Sequence, residues 1–152
     1  MQTAQAWKIY LDTCCLDRLF DPQIQARVRH ETEAVNTILS RVAAGHWDWM
    51  ASSVLEFEIV QNPDLEQRAN VEDILRFVYE TVLVGTTEVA RSTSLESLGF
   101  KRFDALHIAC AENNGADILL TTDDRMLRLA KHYQSRLRVR IENPHTWLQE
   151  IT

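Results

Sequence analysis

Short apolar runs alternate with longer amphipathic segments along the chain. The apolar runs occupy residues 7–11, 47–51, 82–84, 118–120 and 137–141, and such short runs are typical of strands in a buried sheet. The segments between them repeat apolar residues at the spacing of about 3.6 that gives a helix one buried face. Helices are therefore predicted at residues 23–44, 54–61, 65–81, 88–98 and 124–133, from Asp104 to a stop at Asn113, and after Pro144.

This alternation of strands and helices predicts the fold class. Strands that are separated by helices form parallel sheets with helices packed on both faces. No internal repeat, low-complexity segment or linker divides the sequence. We therefore predict a single α/β domain over residues 1–152.

Composition places the chain in the ordinary globular class, since 45% of its 152 residues are hydrophobic and 25% are charged. No apolar run approaches the roughly 20 residues that a membrane span needs. The amino terminus lacks the basic and apolar pattern of a signal peptide. Cys14 and Cys15 are adjacent and Cys110 stands apart, which fits neither a disulfide framework nor a zinc site. Reduced cysteines predict a cytoplasmic protein with no membrane association.

Charge is unevenly distributed along the sequence. The net charge of −6 argues against a protein that coats nucleic acid through bulk electrostatics. Residues 101–140 nevertheless carry a net charge of +3, so the rest of the chain carries −9. The basic excess is either a solvated surface or a local surface that attracts an anion.

Acidic residues stand at the ends of the predicted elements. Asp12 follows the first strand and Asp123 follows the fourth. In a parallel sheet both positions lie at the same edge, where functional groups collect. Asp104 opens a predicted helix, and Glu56 and Glu58 lie in the helix that follows the second strand. We therefore expect acids from four distant segments to converge.

Converging carboxylates indicate a bound cation. They repel one another and raise each other's pKa unless a positive charge neutralises them. Their oxygens are ligands that suit Mg²⁺ or Mn²⁺. Such ions typically serve phosphate chemistry, so the acids favour an enzyme that acts on a phosphate ester.

Each acid also has a purely structural explanation. Asp104 could serve only as a helix N-cap, and either Asp123 or Asp124 is expected to cap the helix that follows. Glu56 and Glu58 are two positions apart on a helix, so only one of them can face the site.

Three further residues near the acids carry chemistry of their own. His107 lies one turn after Asp104, and a packed, hydrogen-bonded histidine is favoured over a metal ligand or a general base. For Cys14 and Cys15, small apolar packing is favoured over a nucleophilic role, because no histidine is nearby in the sequence.

Four motifs together resemble those of the PIN domain family. They are YLDT at residues 10–13, SSVLEFEI at 52–59, DALHIACAE at 104–112 and LLTTDDRML at 119–127. They occur in the family's order and span most of the chain. The pattern is similar to that of small single-domain PIN proteins, including the VapC-type toxins of toxin–antitoxin pairs.

The resemblance implies a PIN-like fold, a three-layer α/β/α sandwich with a central parallel sheet. It also implies an endoribonuclease that depends on Mg²⁺ or Mn²⁺ and hydrolyses RNA to leave a 5′-phosphate and a 3′-hydroxyl.

The resemblance also assigns site residues, motif by motif. The implied metal-binding and catalytic acids are Asp12, Glu58, Asp104 and Asp123. Glu56 is the alternative to the second of them. Asp124 is then the favoured cap of the following helix, and Thr13 and Thr122 are expected to lie beside the acids.

Two functions from different classes follow from the sequence. The first is a metal-dependent endoribonuclease, the toxin of a toxin–antitoxin pair, with RNA as substrate and a cognate antitoxin protein as partner. The alternative is a PIN-fold module that binds RNA or protein with little or no catalysis.

The apolar helices at residues 23–44 and 65–81 would allow a homodimer. Arg125, Arg128 and Lys131 would steer the RNA backbone.

Overall fold

Five parallel strands form the centre of the computed structural model, which describes residues 6–152. They are β1 (Lys8–Leu11), β2 (Asp48–Ser52), β3 (Glu80–Val82), β4 (Ile118–Leu120) and β5 (Arg140–Glu142). The order in the sheet is β3-β2-β1-β4-β5. Ile9 of β1 pairs with Trp49 of β2 on one side and with Ile118 of β4 on the other. Residues 1–5 of the predicted domain lie outside the described residues.

Eight α-helices connect and cover the strands within residues 6–152. They are α1 (Thr13–Asp17), α2 (Ala26–Ala43), α3 (Ser53–Val60), α4 (Leu65–Ile74), α5 (Thr86–Glu96), α6 (Arg102–Asn113), α7 (Asp124–His132) and α8 (Pro144–Ile151). Short 3-10 helices occupy Arg18–Phe20, Leu75–Phe77 and Gln134–Arg136. None of the described helices is both long and apolar enough to cross a lipid bilayer.

Two hydrophobic cores flank the sheet. Successive side chains of a strand point to opposite faces, so Ile9 and Leu11 of β1 enter one core and Tyr10 enters the other. Ile38 of α2 packs in the first core and Ile108 of α6 in the second. The predicted three-layer α/β/α sandwich with a parallel sheet is therefore confirmed.

Several boundaries differ from those predicted, and three of the differences concern the segments after Asp12 and around residues 65–84. The segment after Asp12 forms α1 rather than a turn, because the Asp12 carboxylate accepts a hydrogen bond from the Thr13 backbone N–H and caps the helix. The helix predicted at 65–81 ends at Ile74, where the chain tightens into the 3-10 helix Leu75–Phe77. As a result, β3 begins at Glu80, earlier than the predicted strand 82–84.

The carboxyl edge of the sheet is also where several helices begin. The chain passes from β1 into α1, from β2 into α3 and from β4 into α7. A helix N-terminus carries a partial positive charge from its unpaired N–H groups, which favours nearby carboxylates. The fold thus provides a suitable setting for acids along this edge.

Candidate metal centre

One cleft at the carboxyl edge of the sheet contains all four predicted acids. The cleft has a volume of about 550 Å³, and its lining includes Asp12, Glu58, Asp104 and Asp123. These residues come from segments far apart in the sequence, and the topology brings them together as expected. Their roles as ligands remain a prediction at this point.

Asp12 is held by hydrogen bonds to both carboxylate oxygens. The Thr13 backbone N–H donates to Oδ1 at 2.8 Å, and the Thr121 hydroxyl donates to Oδ2 at 2.9 Å. The Asp12 backbone N–H donates to the Leu120 carbonyl at 2.9 Å, which continues the pairing of β1 with β4. Only 5% of Asp12 is exposed, so these donors offset the cost of burying a carboxylate.

Glu58 faces the cleft, whereas Glu56 is exposed to solvent. Ser52 caps α3 by accepting the Leu55 backbone N–H at 3.1 Å, and this cap sets the rotation of the helix. The Thr13 hydroxyl donates to Glu58 Oε1 at 2.8 Å, and His107 Nε2 also contacts that oxygen. The preference for Glu58 over Glu56 thus agrees with the geometry.

His107 is packed and hydrogen-bonded, as predicted. Its side chain is fully buried, its Nδ1 bonds to the Tyr10 hydroxyl, and its Nε2 bonds to Glu58. Asp12, Glu58 and His107 each offer a possible ligand atom, and these atoms lie within 4.8 Å of one another. The buried His107 side chain therefore lies next to Asp12 and Glu58.

Glu58 and His107 form a charge-compensated pair. Burial favours the neutral form of each, but their mutual hydrogen bond and charge attraction outweigh it. As a result, the pKa of Glu58 lies below its usual value and the pKa of His107 lies above its own. The negative charges of Asp12 and Asp104 add to the increase in the pKa of His107.

Asp104 lies in the first turn of α6 and does not cap it. The helix begins at Arg102 with Lys101 at the N-cap position, which removes the purely capping explanation. Burial, followed by repulsion from Asp12, Asp123 and Glu58, raises the pKa of Asp104 to about 6, although His107 acts in the opposite direction. Burial and the nearby carboxylates therefore disfavour the ionised form of Asp104.

The assignment of the helix cap to Asp124 is wrong, because Asp123 caps α7. Asp123 has extended backbone angles, and its Oδ1 accepts from the N–H groups of Arg125 at 2.9 Å and Met126 at 3.2 Å. Asp124 is already helical and pairs with Arg27 through contacts of 2.7 and 2.8 Å. Asp123 nevertheless lines the cleft, and its Oδ2 makes neither capping bond.

The threonine beside the acids is Thr121, not Thr122. The Thr121 side chain points to Asp12, whereas Thr122 contributes backbone groups, its N–H to Cys14 Sγ and its carbonyl to Arg27. Side chains alternate along an extended segment, so a shift of one residue reverses which hydroxyl faces the site. Thr13 does contact an acid, as expected.

Asp17 and Asp21 also line the cleft, although the sequence did not single them out. Burial raises the pKa of Asp17, an effect that the hydrogen bond from Gln67 opposes and nearby acids reinforce. Asp17 lies one helical turn after Thr13. The helical spacing would have placed it beside the site if α1 had been recognised as a helix.

Comparison with known proteins identifies the family of this chain. The family model described as PIN domain matches residues 9–132, a range that includes all four acids. The chain belongs to the PIN domain family. This PIN domain is also similar to a chain in the crystal structure of VapBC2 from Rickettsia felis bound to a DNA fragment from their promoter. The two share 18% identity with a TM-score of 0.60, over 90% of this chain and 98% of the other. Comparison with curated proteins gives no match.

Proposed function

We propose that this PIN domain is a metal-dependent endoribonuclease that hydrolyses RNA phosphodiester bonds. The observation that carries the proposal is the convergence of four carboxylates, Asp12, Glu58, Asp104 and Asp123, on one cleft. Burial and repulsion from nearby acids raise the pKa of Asp104 to about 6, which fits a site whose negative charge a bound cation would neutralise.

The donor set fits Mg²⁺ or Mn²⁺. The four acids would hold the ion through hard oxygen ligands. When bound, the cation supplies the positive charge that activates a water for attack on phosphorus and stabilises the departing oxygen. Thr13 and Thr121 hold the carboxylates of Glu58 and Asp12 in place through their hydroxyl groups.

Basic side chains provide the complementary attraction for the RNA backbone. Arg125 lies two residues after Asp123, and its guanidinium donates to the Gly99 carbonyl at 2.7 Å. Arg128 and Lys131 line a neighbouring cleft on α7. Positive side chains beside an acidic centre attract phosphate without requiring a basic protein as a whole, which fits the net charge of −6.

The proposed biological role is the toxin of a toxin–antitoxin pair, acting in the cytoplasm with a cognate antitoxin as partner. The similarity to a chain of the Rickettsia felis VapBC2 complex favours this role over other nuclease roles. The three cysteines are free thiols, which fits a reducing compartment. A homodimer also remains part of the proposal, although the buried face of α2 packs in the chain's own core.

The direct test is cleavage of single-stranded RNA by the purified protein with Mg²⁺ or Mn²⁺. Wild-type protein is expected to cleave, EDTA to stop cleavage, and Asp12→Asn to abolish it. Asparagine caps a helix as well as aspartate does, so this variant should keep α1. Full activity in Asp12→Asn would contradict the site assignment. RNA binding without cleavage by the wild type would favour the alternative, a binding module.

A further inference from the structure

A buried chain of hydrogen bonds runs from the core to the candidate metal centre. It starts at the Leu55 N–H, which donates to Ser52 Oγ at 3.1 Å, and Ser52 Oγ lies 2.6 Å from the Tyr10 hydroxyl. The Tyr10 hydroxyl bonds to His107 Nδ1, and His107 Nε2 bonds to Glu58 Oε1. Tyr10, Ser52 and His107 are fully buried.

We propose that Tyr10 and His107 are positioning residues of the centre and act on it through Glu58. The inference rests on the proposed function, because it assigns roles within the same site. With Nδ1 engaged by Tyr10, the imidazole ring has one fixed orientation, and its Nε2 is aimed at the carboxylate. Tyr10 thus holds His107, and His107 holds Glu58.

The geometry also determines which oxygen of Glu58 is left for a cation. Both donors, the Thr13 hydroxyl and His107 Nε2, go to Oε1. Within the described part of the chain these two bonds hold Oε1 in place, and neither of them engages Oε2. A side chain held in this way loses little further rotamer entropy when it binds an ion.

His107 could instead be a metal ligand, since its Nε2 lies 3.5 Å from Asp12 Oδ1. Two observations favour the positioning role. His107 is fully buried and is not among the residues that line the cleft, whereas Asp12 and Glu58 line it. Its Nε2 is also already engaged by the carboxylate. A nitrogen in this position acts on the ion through the carboxylate group of Glu58.

The test compares Mn²⁺ affinity in Tyr10→Phe, His107→Gln and the double variant, measured by isothermal titration calorimetry. Partners behind metal ligands typically contribute about 10–100-fold in affinity or activity, so we expect about a tenfold loss for Tyr10→Phe and more for His107→Gln. The double variant should bind as His107→Gln does, because Tyr10 acts only through His107. Pulsed electron paramagnetic resonance of bound Mn²⁺ should show no directly coordinated nitrogen.

The matched control is Tyr133→Phe, which removes a hydroxyl from another tyrosine that contacts a histidine. The rings of Tyr133 and His132 lie edge to face with centroids 4.6 Å apart. This variant should leave Mn²⁺ affinity unchanged. Thermal melts establish that each variant is folded. If His107→Gln does not fold, the Mn²⁺ affinity of Tyr10→Phe tests the positioning role by itself.

A metal-free measurement separates this proposal from the proposed function. The carboxyl ¹³C resonance of Glu58 should move in Tyr10→Phe and stay in place in Tyr133→Phe. If it moves while the wild type binds no Mn²⁺, the metal-dependent function fails and the positioning chain stands. An unmoved Glu58 resonance in Tyr10→Phe, unchanged Mn²⁺ affinity in that variant, or nitrogen coordinated to bound Mn²⁺ would overturn the positioning role.

Discussion

The two halves of the candidate centre are stabilised in opposite ways. Asp12 and Glu58 receive hydrogen bonds from Thr13, Thr121 and His107, and the pKa of Glu58 is lowered despite its burial. Asp104, in contrast, has its pKa raised to about 6 by burial and by repulsion from other acids. The protein therefore compensates the charges of Asp12 and Glu58 itself and leaves the charge of Asp104 opposed by its surroundings.

Under the proposed function, this difference marks where the chain gives up stability for metal binding. A carboxylate that is buried among other carboxylates destabilises the folded protein, and such residues concentrate at functional sites. Under the proposed function, the hydrogen-bonded half would provide fixed geometry, and Asp104 would provide the attraction for a positive ion.

Among the variants that distinguish Asp104 from the hydrogen-bonded acids, the largest effect is expected for Asp104→Asn, which removes the charge that its surroundings oppose. RNA cleavage should fall by about 1000-fold, since the charge stabilisation supplied through a bound ion amounts to several kcal/mol. The metal-free variant should at the same time unfold at a higher temperature than the wild type, because the repulsion is gone. Single-turnover cleavage and thermal melts in EDTA measure the two changes. Lower stability together with full activity would contradict the contrast between the halves.

A second, smaller effect is expected for Glu58→Gln, with Glu56→Gln as its control on the same helix. The first variant loses a charged oxygen in the cleft, and we expect cleavage to fall by about 100-fold. Glu56 is exposed and does not line the cleft, so its variant should retain the wild-type rate. Cleavage assays on both proteins make the comparison. Equal losses in the two variants would remove Glu58 from the site.

The pH dependence of stability isolates Asp104. Its pKa is about 6 in the folded protein against an ordinary value of 3.8, so the folded state holds the proton more tightly than the unfolded state. Stability of the metal-free protein therefore falls as pH rises from about 4 to about 6. At about 1.4 kcal/mol per pKa unit the fall is about 3 kcal/mol, which solvent screening of this partly exposed carboxylate reduces to on the order of 2 kcal/mol. Other groups also titrate, so the quantity to measure is the difference between wild type and Asp104→Asn.

Urea unfolding in EDTA at pH 4.5 and at pH 7 provides that difference. The free energy of unfolding of Asp104→Asn, relative to that of the wild type, should increase as the pH rises. Saturating Mn²⁺ should restore the stability of the wild type at pH 7. A difference that does not change with pH would show that burial and repulsion do not raise the pKa of Asp104.

The smallest effect is expected for Thr121→Val, with Thr122→Val as its control. Thr121 donates a side-chain hydrogen bond to Asp12, and loss of one such bond costs about 1–3 kcal/mol when the acceptor is a buried charge. We expect a cleavage rate about tenfold lower, given about 1.4 kcal/mol for each factor of ten. Thr122→Val should change the rate little. A larger loss of rate in Thr122→Val than in Thr121→Val would place the Thr122 hydroxyl at the site.

Much of the fold follows from local pattern. The strand at Ile118–Leu120 was predicted with its observed bounds because three apolar residues buried on both faces stand between polar ones. Helix α1 was missed because adjacent cysteines obscure the periodicity of a helix of five residues. Leu75 and Phe77 continue the apolar positions of the helix on either side of Arg76, and so the sequence pattern does not show the tightening into a 3-10 helix.

The site was predictable in its membership but not in its internal bonding. The positions of Asp12 and Asp123 after strands are enough to bring them to one edge. Which of two adjacent residues caps a helix depends on a single backbone angle, and for this reason Asp123 rather than Asp124 became the cap. The link from Tyr10 through His107 to Glu58 joins three distant segments, and no local spacing encodes it.

The most direct test of the central claim is calorimetric titration of Mn²⁺ into metal-free wild type and Asp104→Asn at pH 7. If the carboxylates form one cation site, the wild type binds Mn²⁺ saturably and Asp104→Asn binds it at least about tenfold more weakly. Equal affinity in the two proteins, or no binding by the wild type, would contradict the claim that this cleft is a metal centre.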